Sequence, residues 1–272
     1  MDLNKKVFTF IGAGNMAEAL VSSVIGAGVC SPENLRVADV KTDRLDHFRD
    51  AFCVTTLNDN SAAVRDADVV VLAVKPQIID GVIEGIRDDI DHAALLISIA
   101  AGIQTVRIEG LMGRASRVIR VMPNMPAMSG CGASAICAGA HATADDVSIA
   151  ETMLGSAGIV VRVDEEDMNS VTALSGSGPA YVFYLMEAMQ KAAVKMGLDP
   201  DTAFRLVAAT VEGAAVTMRK SGLDPSELRG RVTSPGGTTH AALNVLEERN
   251  FLEAVMDAMK AARRRSEELS ES

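Results

Sequence analysis

Short apolar runs alternate with amphipathic stretches as far as Val163, and beyond it the runs stop. Lys6–Ile11, Leu35–Val40, Asp68–Val74, Ala94–Ile99 and Val118–Met122 are nearly unbroken in Val, Ile, Leu, Ala and Phe. Runs of this length, bounded by Gly, Pro or charged residues, predict strands covered on both faces. Ser134–Ala138 and Ile159–Val163 are weaker versions of the same signal. Helical patterns lie between them, the first opening at Met16 and closing near Gly26 and Gly28. Strand and helix in alternation predict a largely parallel sheet. After Val163 the helical period takes over, across Asp167–Leu174, Pro179–Met196, Thr202–Arg219, Thr239–Glu248 and Leu252–Glu268, with a short turn at Pro225–Leu228. The expected architecture is an α/β domain over residues 1–163 followed by an all-α domain over 164–272.

Two of the later helices are apolar nearly all round. Ala180–Met189 carries one acid, Glu187, and Leu206–Met218 carries only Glu212 among Ala, Val and Gly. Helices of this kind are buried on several sides, and a helical domain this thin cannot cover both by itself. They are expected to pack against a second copy of the chain in an intertwined two-fold dimer. The charge run Asp164–Asp167 reads as a solvated cap at a helix start. Arg263–Arg265 with Glu267 and Glu268 reads as a frayed, solvated helix end.

Composition narrows the function classes. The chain has 272 residues, enough for two domains with cores of their own. It is 48% hydrophobic but 3% aromatic and has no Trp, so aliphatic residues and 14 Met must build those cores. A net charge of −10 excludes a nucleic-acid backbone or an anionic membrane as the expected partner. Cys30, Cys53, Cys131 and Cys137 form no CxxC pair and are expected to be buried free thiols, as in a reducing compartment. MDLNKK leads straight into VFTFIG, whose apolar run is too short for a secretion signal. No stretch approaches the ~18 apolar residues of a membrane span. A cytoplasmic protein is expected, with no metal centre.

Chemistry enters at the end of the first strand. Gly12-Ala13-Gly14-Asn15-Met16-Ala17 joins strand to helix in the GxGxxA form of a dinucleotide fingerprint. Gly12 makes the tight turn, Gly14 lets the backbone approach a pyrophosphate, and Ala17 permits close helix–strand packing. Asp39, near the end of the second strand, suits a ribose 2′-hydroxyl and repels a 2′-phosphate, whereas Lys41 and Arg44 could accommodate one. The choice between NADH and NADPH stays open, with a lean to NADH. Ligands of open α/β sheets bind at the carboxyl ends of the strands. Those ends carry Gly12–Gly14, Asp39, Lys75, Ala100–Gly102 and Pro123–Pro126.

The second half holds one site-like run, Arg231–His240, with the sequence RVTSPGGTTH. Ser234, Thr238 and Thr239 bring hydroxyls, and Gly236 and Gly237 bring backbone amides with no side chain in front of them. Pro-Gly forces a turn, and Ser or Thr ahead of an amphipathic run signals a helix start, so the run is expected to be an anion site at a helix N-terminus. A plain interhelical turn is the competing reading. A hydroxyacid or alcohol dehydrogenase needs a group that moves the hydroxyl proton. β-Hydroxyacid dehydrogenases use the lysine of a GxGxxxK run, and the comparable position after Gly176-Ser177-Gly178 is Val182. An apolar residue moves no proton, so that chemistry is disfavoured. Of the scattered histidines His47, His92, His141 and His240, only His240 adjoins a site-like loop. A protonated cyclic imine needs only a hydride, a carboxylate anchor and a hydrogen bond to nitrogen.

Four segments together resemble one family. Phe10–Ala17, Ala73-Val74-Lys75-Pro76-Gln77, Leu174–Tyr181 and Val232–Thr239 are similar to pyrroline-5-carboxylate reductases, in that family's order along nearly the whole chain. The resemblance implies an N-terminal Rossmann-type domain and an all-α dimerisation domain. It implies reduction of 1-pyrroline-5-carboxylate to L-proline with NADPH or NADH, the last step of proline biosynthesis. It implies a homodimer, or a ring of dimers, with the site where cofactor domain and partner helices meet. Carried onto this chain, Gly12, Ala13, Gly14, Asn15 and Met16 would cradle pyrophosphate, and Asn60 would sit near the adenosine ribose. Ala73, Val74, Lys75 and Pro76, with Ala100, Ala101 and Gly102, would line the cofactor path. Ser234, Gly236, Gly237 and Thr238 would bind the substrate, and Thr239 would meet its ring nitrogen. The alternatives are a reductase of another cyclic imino acid and a dinucleotide-binding protein without catalysis.

Overall fold

The structure, a computed structural model, describes residues 3–271, apart from the side chain of Glu271. Residues 1, 2 and 272, which the N-terminal reading and the two domain ranges include, lie outside it. Eight strands form one sheet in the order β3-β2-β1-β4-β5-β6-β7-β8. They are β1 Phe8–Ile11, β2 Leu35–Ala38, β3 Thr55–Leu57, β4 Val69–Leu72, β5 Leu95–Ser98, β6 Arg117–Met122, β7 Gly132–Ala138 and β8 Gly158–Arg162. All neighbours are parallel except β6 and β7, so β7 and β8 run against the rest. The helices between them are α1 Asn15–Gly26, α2 Thr42–Phe52, α3 Asn60–Val64, α4 Ile79–Ile86, α5 Thr105–Met112 and α6 Ala144–Gly155. Helices then follow without strands: α7 Met168–Val171, α8 Gly178–Lys195, α9 Pro200–Ser221, α10 Pro225–Arg231, α11 Thr238–Glu248 and α12 Phe251–Glu271. The expected class, α/β followed by all-α, is the one observed.

Chain contacts divide the molecule into two compact units: one up to Ser177 together with the segment from Ala262, the other Gly178–Ala261. In the first, strand residues alternate between two cores. Phe8, Phe10, Val69, Val71, Leu95, Ile97 and Ile119 face α1, α2 and α6 through Leu20, Val24, Phe48 and Met153. Ile11, Val70, Leu72, Leu96 and Val118 face α3, α4 and α5 through Val64, Ile83 and Ile108. Burial on both faces is why these strands read as unbroken apolar runs. β3 gave no such signal: its three residues TTL lie at the sheet edge, none of them buried.

The second unit is built differently. No residue of α8 or α11 is buried, and α9 buries only Ala203 and Val207. Phe183, Tyr184, Leu185, Phe204, Leu206 and Leu252 are exposed.

Three expectations need correction. Glu165 of the charge run is not a solvated cap: it pairs with Arg120, which is 2% exposed on β6, and accepts from Thr105 Oγ1 at 2.7 Å. A buried guanidinium requires a carboxylate, and the chain supplies it from the first turn after the sheet. The C-terminal tail is not frayed: Ser266, 4% exposed, donates to Asn169 Oδ1 at 2.7 Å, and Leu269 lies against Gly102. Cys30 and Cys137 are buried, but Cys53 and Cys131 are exposed. Cys53 ends α2 in a left-handed conformation (φ 56°), beyond the helix face that packs.

Candidate active site

Sheet register sets the candidate dinucleotide site of the first unit. Ala38, Ile11, Leu72 and Ser98 stand in one row across β2, β1, β4 and β5, so these strands end level with one another. The chain departs towards β2 on one side of β1 and reaches β4 on the other, which makes β1/β4 the switch point where open sheets bind ligands. Gly12 leaves β1 there with φ 107°, and a Cβ on it would meet the Ala73 carbonyl oxygen at 2.7 Å. Only glycine fits both the dihedral and the approach. Gly14 caps α1 with no side-chain hydrogen bond, and a Cβ there would meet nothing within 4 Å. No side chain therefore caps the first amides of α1, and the helix dipole lies behind them, a setting that fits a pyrophosphate. Asn15 and Met16 form the first turn.

The remaining sequence-predicted positions of this unit join the same edge. Asp39 follows β2, and its carboxylate accepts from the Ala13 amide at 2.7 Å and the Lys41 amide at 2.9 Å. Asn60 opens α3, whose cap is Asp59, accepting from the Ser61 amide at 2.9 Å. Ala73, Val74 and Lys75 leave β4, and Pro76 starts a single 3-10 turn. Ala100, Ala101 and Gly102 leave β5; Gly102 has φ 79°.

Two groups on this edge were given no role by the sequence, although one of them, Asn124, lies in the strand-end segment Pro123–Pro126. Asn124, buried in the loop after β6, donates to the Ser175 carbonyl at 3.0 Å and accepts from the Ala133 amide at 2.9 Å. It ties that loop to β7 and to the π-helical turn Thr172–Gly176. Glu18 on α1 accepts from Arg44 at 2.5 Å and lies 2.9 Å from His47 Nε2. Burial pushes the Glu18 carboxyl up, but the Arg44 and His47 contacts outweigh it and hold the group below its ordinary range. Asn124 is the polar residue of the Pro123–Pro126 segment and Glu18 follows directly on the glycine fingerprint, but nothing in either segment tells which partners these side chains meet.

Arg231–His240 lies in the second unit. Gly236 takes φ 73°, and Gly237 caps α11 with no side-chain hydrogen bond. The loop therefore opens on a helix N-terminus as expected. The two glycine amides, however, do not point outward. Gly236 donates to His240 Nδ1 at 3.1 Å, and Gly237 donates to the Ser234 carbonyl at 3.0 Å, which closes the turn. Both amides are spent on folding the loop, because a tight turn satisfies its own donors first. The outward donors are the first amides of α11 and the hydroxyls of Ser234, Thr238 and Thr239. Ser234 and Thr238 are exposed and Thr239 is half-buried. His240 acts here as a brace for the turn. Val182 lies on α8, one turn past its Gly178 start.

Comparison with known proteins agrees with this arrangement. Residues 165–269 match the family model described as pyrroline-5-carboxylate reductase dimerisation, and residues 7–102 match one described as NADP oxidoreductase coenzyme F420-dependent. A pyrroline-5-carboxylate reductase of Methanosarcina acetivorans is 41% identical over 98% of both chains. The structure of a pyrroline-5-carboxylate reductase from Coxiella burnetii superposes with a TM-score of 0.92 at 41% identity, covering 99% of this chain and 100% of that one. That of the Plasmodium falciparum pyrroline carboxylate reductase, with NADP bound, gives 0.89 at 30% identity, covering 98% and 99%. With the glycine turn, the capless α1 and the SPGGTT loop all in place, and likeness running end to end, the chain belongs to the pyrroline-5-carboxylate reductase family.

Proposed function

We propose that the chain reduces 1-pyrroline-5-carboxylate to L-proline, the last step of proline biosynthesis, with Thr239 at the reacting nitrogen. The observation that carries the residue assignment is the α11 N-terminus: hydroxyls and free helix amides converge there with no acid or lysine among them. Such a set anchors a carboxylate and meets an imine nitrogen, and its one titratable neighbour, His240, has Nδ1 committed to the Gly236 amide. Bound NADPH or NADH supplies a hydride. Gly12–Met16 and the start of α1 would hold its pyrophosphate, Asp39 and Asn60 would serve its adenosine ribose, and Ala73–Pro76 with Ala100–Gly102 would line the path to its nicotinamide.

Ser234, Thr238 and the first amides of α11 hold the substrate carboxylate; Gly236 and Gly237 shape the backbone that presents them. Thr239 Oγ1 accepts from the protonated imine nitrogen. The imine carbon takes the hydride, the C=N π pair withdraws to nitrogen, and the product is the neutral ring amine, so no further proton is needed in that step. The matched dimerisation region makes the chain a homo-oligomer, which we assign as a dimer or a ring of dimers built on α8 and α9. No helix among the described residues is long and apolar enough to cross a membrane. Four cysteines without a disulfide support a cytoplasmic location.

The test is the loss of reduced-nicotinamide absorbance with 1-pyrroline-5-carboxylate, its six-membered homologue and linear imines. Turnover of the five-membered acid above the others is expected. A preference for another imine would move the assignment to a different imino acid, and dinucleotide binding with no turnover would make this a non-catalytic binding protein. Thr239→Ala should lose about 1.5–3 kcal/mol of transition-state stabilisation, or roughly 10- to 100-fold in kcat/KM. An unchanged rate removes Thr239 from the reaction.

A further inference from the structure

The side chain at the end of β2 is the one that meets the ribose 2′-position in a fold of this kind. Here it is Asp39, half-buried, with one carboxylate oxygen on the Ala13 amide and the other on the Lys41 amide. A carboxylate held there accepts hydrogen bonds from ribose hydroxyls and opposes a 2′-phosphate. A chain that used NADPH would have to offset it with a cation, and Arg44, five residues on, is the one with the reach to do so.

Arg44 is committed elsewhere. Its Nε donates to the Ala13 carbonyl at 2.7 Å, its Nη2 donates to Glu18 Oε2 at 2.5 Å, and its guanidinium lies 5.4 Å from the centre of the Phe48 ring. Glu18 spends its second oxygen on His47, so the carboxylate is held from both sides. The guanidinium thus serves the glycine turn, its charge matched by an acid of α1. Lys41 is exposed, where an ion pair through water contributes little, and Asp43 follows two residues later.

We propose that Glu18 is a positioning residue for cofactor choice: by holding Arg44 on the glycine turn it leaves Asp39 as the charge beside the ribose, and the enzyme selects NADH over NADPH. This rests on the reading that Gly12–Met16 hold a nicotinamide dinucleotide. Nothing in the glycine fingerprint itself carries it, since that fingerprint serves both dinucleotides.

The experiment is calorimetric titration of the full-length protein with NAD+ and NADP+, and with NADH and NADPH, beside initial rates on 1-pyrroline-5-carboxylate. The wild type should bind the NAD form at least about tenfold more tightly, the scale of one unmatched like charge at close range. Glu18→Ala, which removes the acceptor for Arg44, should shrink that ratio about fivefold or more. Glu18→Gln, which keeps an acceptor, should fall between. Glu18→Ala combined with Asp39→Ser should invert the preference. A purely structural role for Glu18 would weaken both dinucleotides alike and leave the ratio unchanged, which overturns the proposal. Equal binding of the two dinucleotides by the wild type overturns it without any variant, and leaves the dinucleotide reading intact. Binding of neither dinucleotide overturns both.

Discussion

The two units use apolar residues to opposite ends. In the first, a sheet takes helices on both faces, and Phe8, Phe10, Val71 and Leu72 are fully buried within one chain. In the second, α8 has no buried residue, and Tyr184 is 75% and Phe204 60% exposed. Both stretches are rich in Val, Leu, Ala and aromatic residues, so hydrophobicity alone does not tell a core from an interface. The difference is closure. A sheet residue finds its cover within a few tens of residues along its own chain, whereas a helix apolar on every side needs more surface than its neighbours provide. The first unit closes its core within one chain, whereas the second leaves apolar helix faces exposed in the region that matches a dimerisation family.

Substitutions separate those two arrangements. The largest effect is expected from Phe204→Asp, which puts a charge on the exposed apolar face of α9. The oligomer should dissociate in sedimentation and reductase activity should fall to background, with far-UV dichroism of the sheet unit retained. Leu72→Ala, at a fully buried site on β4, should cost about 2–5 kcal/mol. Urea unfolding should show the same loss at low and high protein concentration, because this core closes within the chain. Glu165→Gln leaves the Arg120 guanidinium buried without its counter-charge, for about 3 kcal/mol at neutral pH.

That third substitution also has a pH signature. Burial pushes the Glu165 carboxyl up, but hydrogen bonds from Thr105 and Arg120 and the Arg120 charge outweigh it and hold the group below the ordinary glutamate value of 4.5. A depressed carboxylate stabilises the fold above its unfolded pKa and stops doing so as pH falls through the folded one. Urea midpoints of wild type and Glu165→Gln should therefore converge as pH falls below 4.5. Thr143→Ala is the smallest of the set. It removes the capping box that Thr143 and Asp146 make at the start of α6, for about 1 kcal/mol. It should leave assembly unchanged in sedimentation.

The strands were legible in proportion to their burial. β1, β4 and β5 are buried along their length and read as unbroken runs; β3, three residues with none buried, was silent. The reversal of β7 was equally silent, since direction leaves no mark on a two-residue period. The glycine turn and the SPGGTT loop were legible because close backbone approach and a helix start admit few residue types. The use of the loop's amides was not: Gly236 and Gly237 looked like open donors, and the fold spends both on itself. Arg120 with Glu165 and Glu18 with Arg44 were hidden for a common reason. Each pair joins residues far apart in the chain, 45 and 26 positions, at a distance that only the packed sheet sets.

By itself the sequence determined the order of elements, the place where the strand pattern ends, the glycine turn at Gly12–Gly14 and a helix start at Thr239, which the structure puts at Thr238. These follow from local sterics and from the match between residue period and backbone period, which act within a few residues. The tertiary structure alone decided the level row of strand ends that gathers Gly12, Asp39 and Ala73, the commitment of Arg44 to Glu18, the pairing of Glu165 with Arg120 and the anchoring of the tail through Ser266. Those depend on which residues meet after packing, and a charge's partner, unlike a helix period, is not written beside it in the chain.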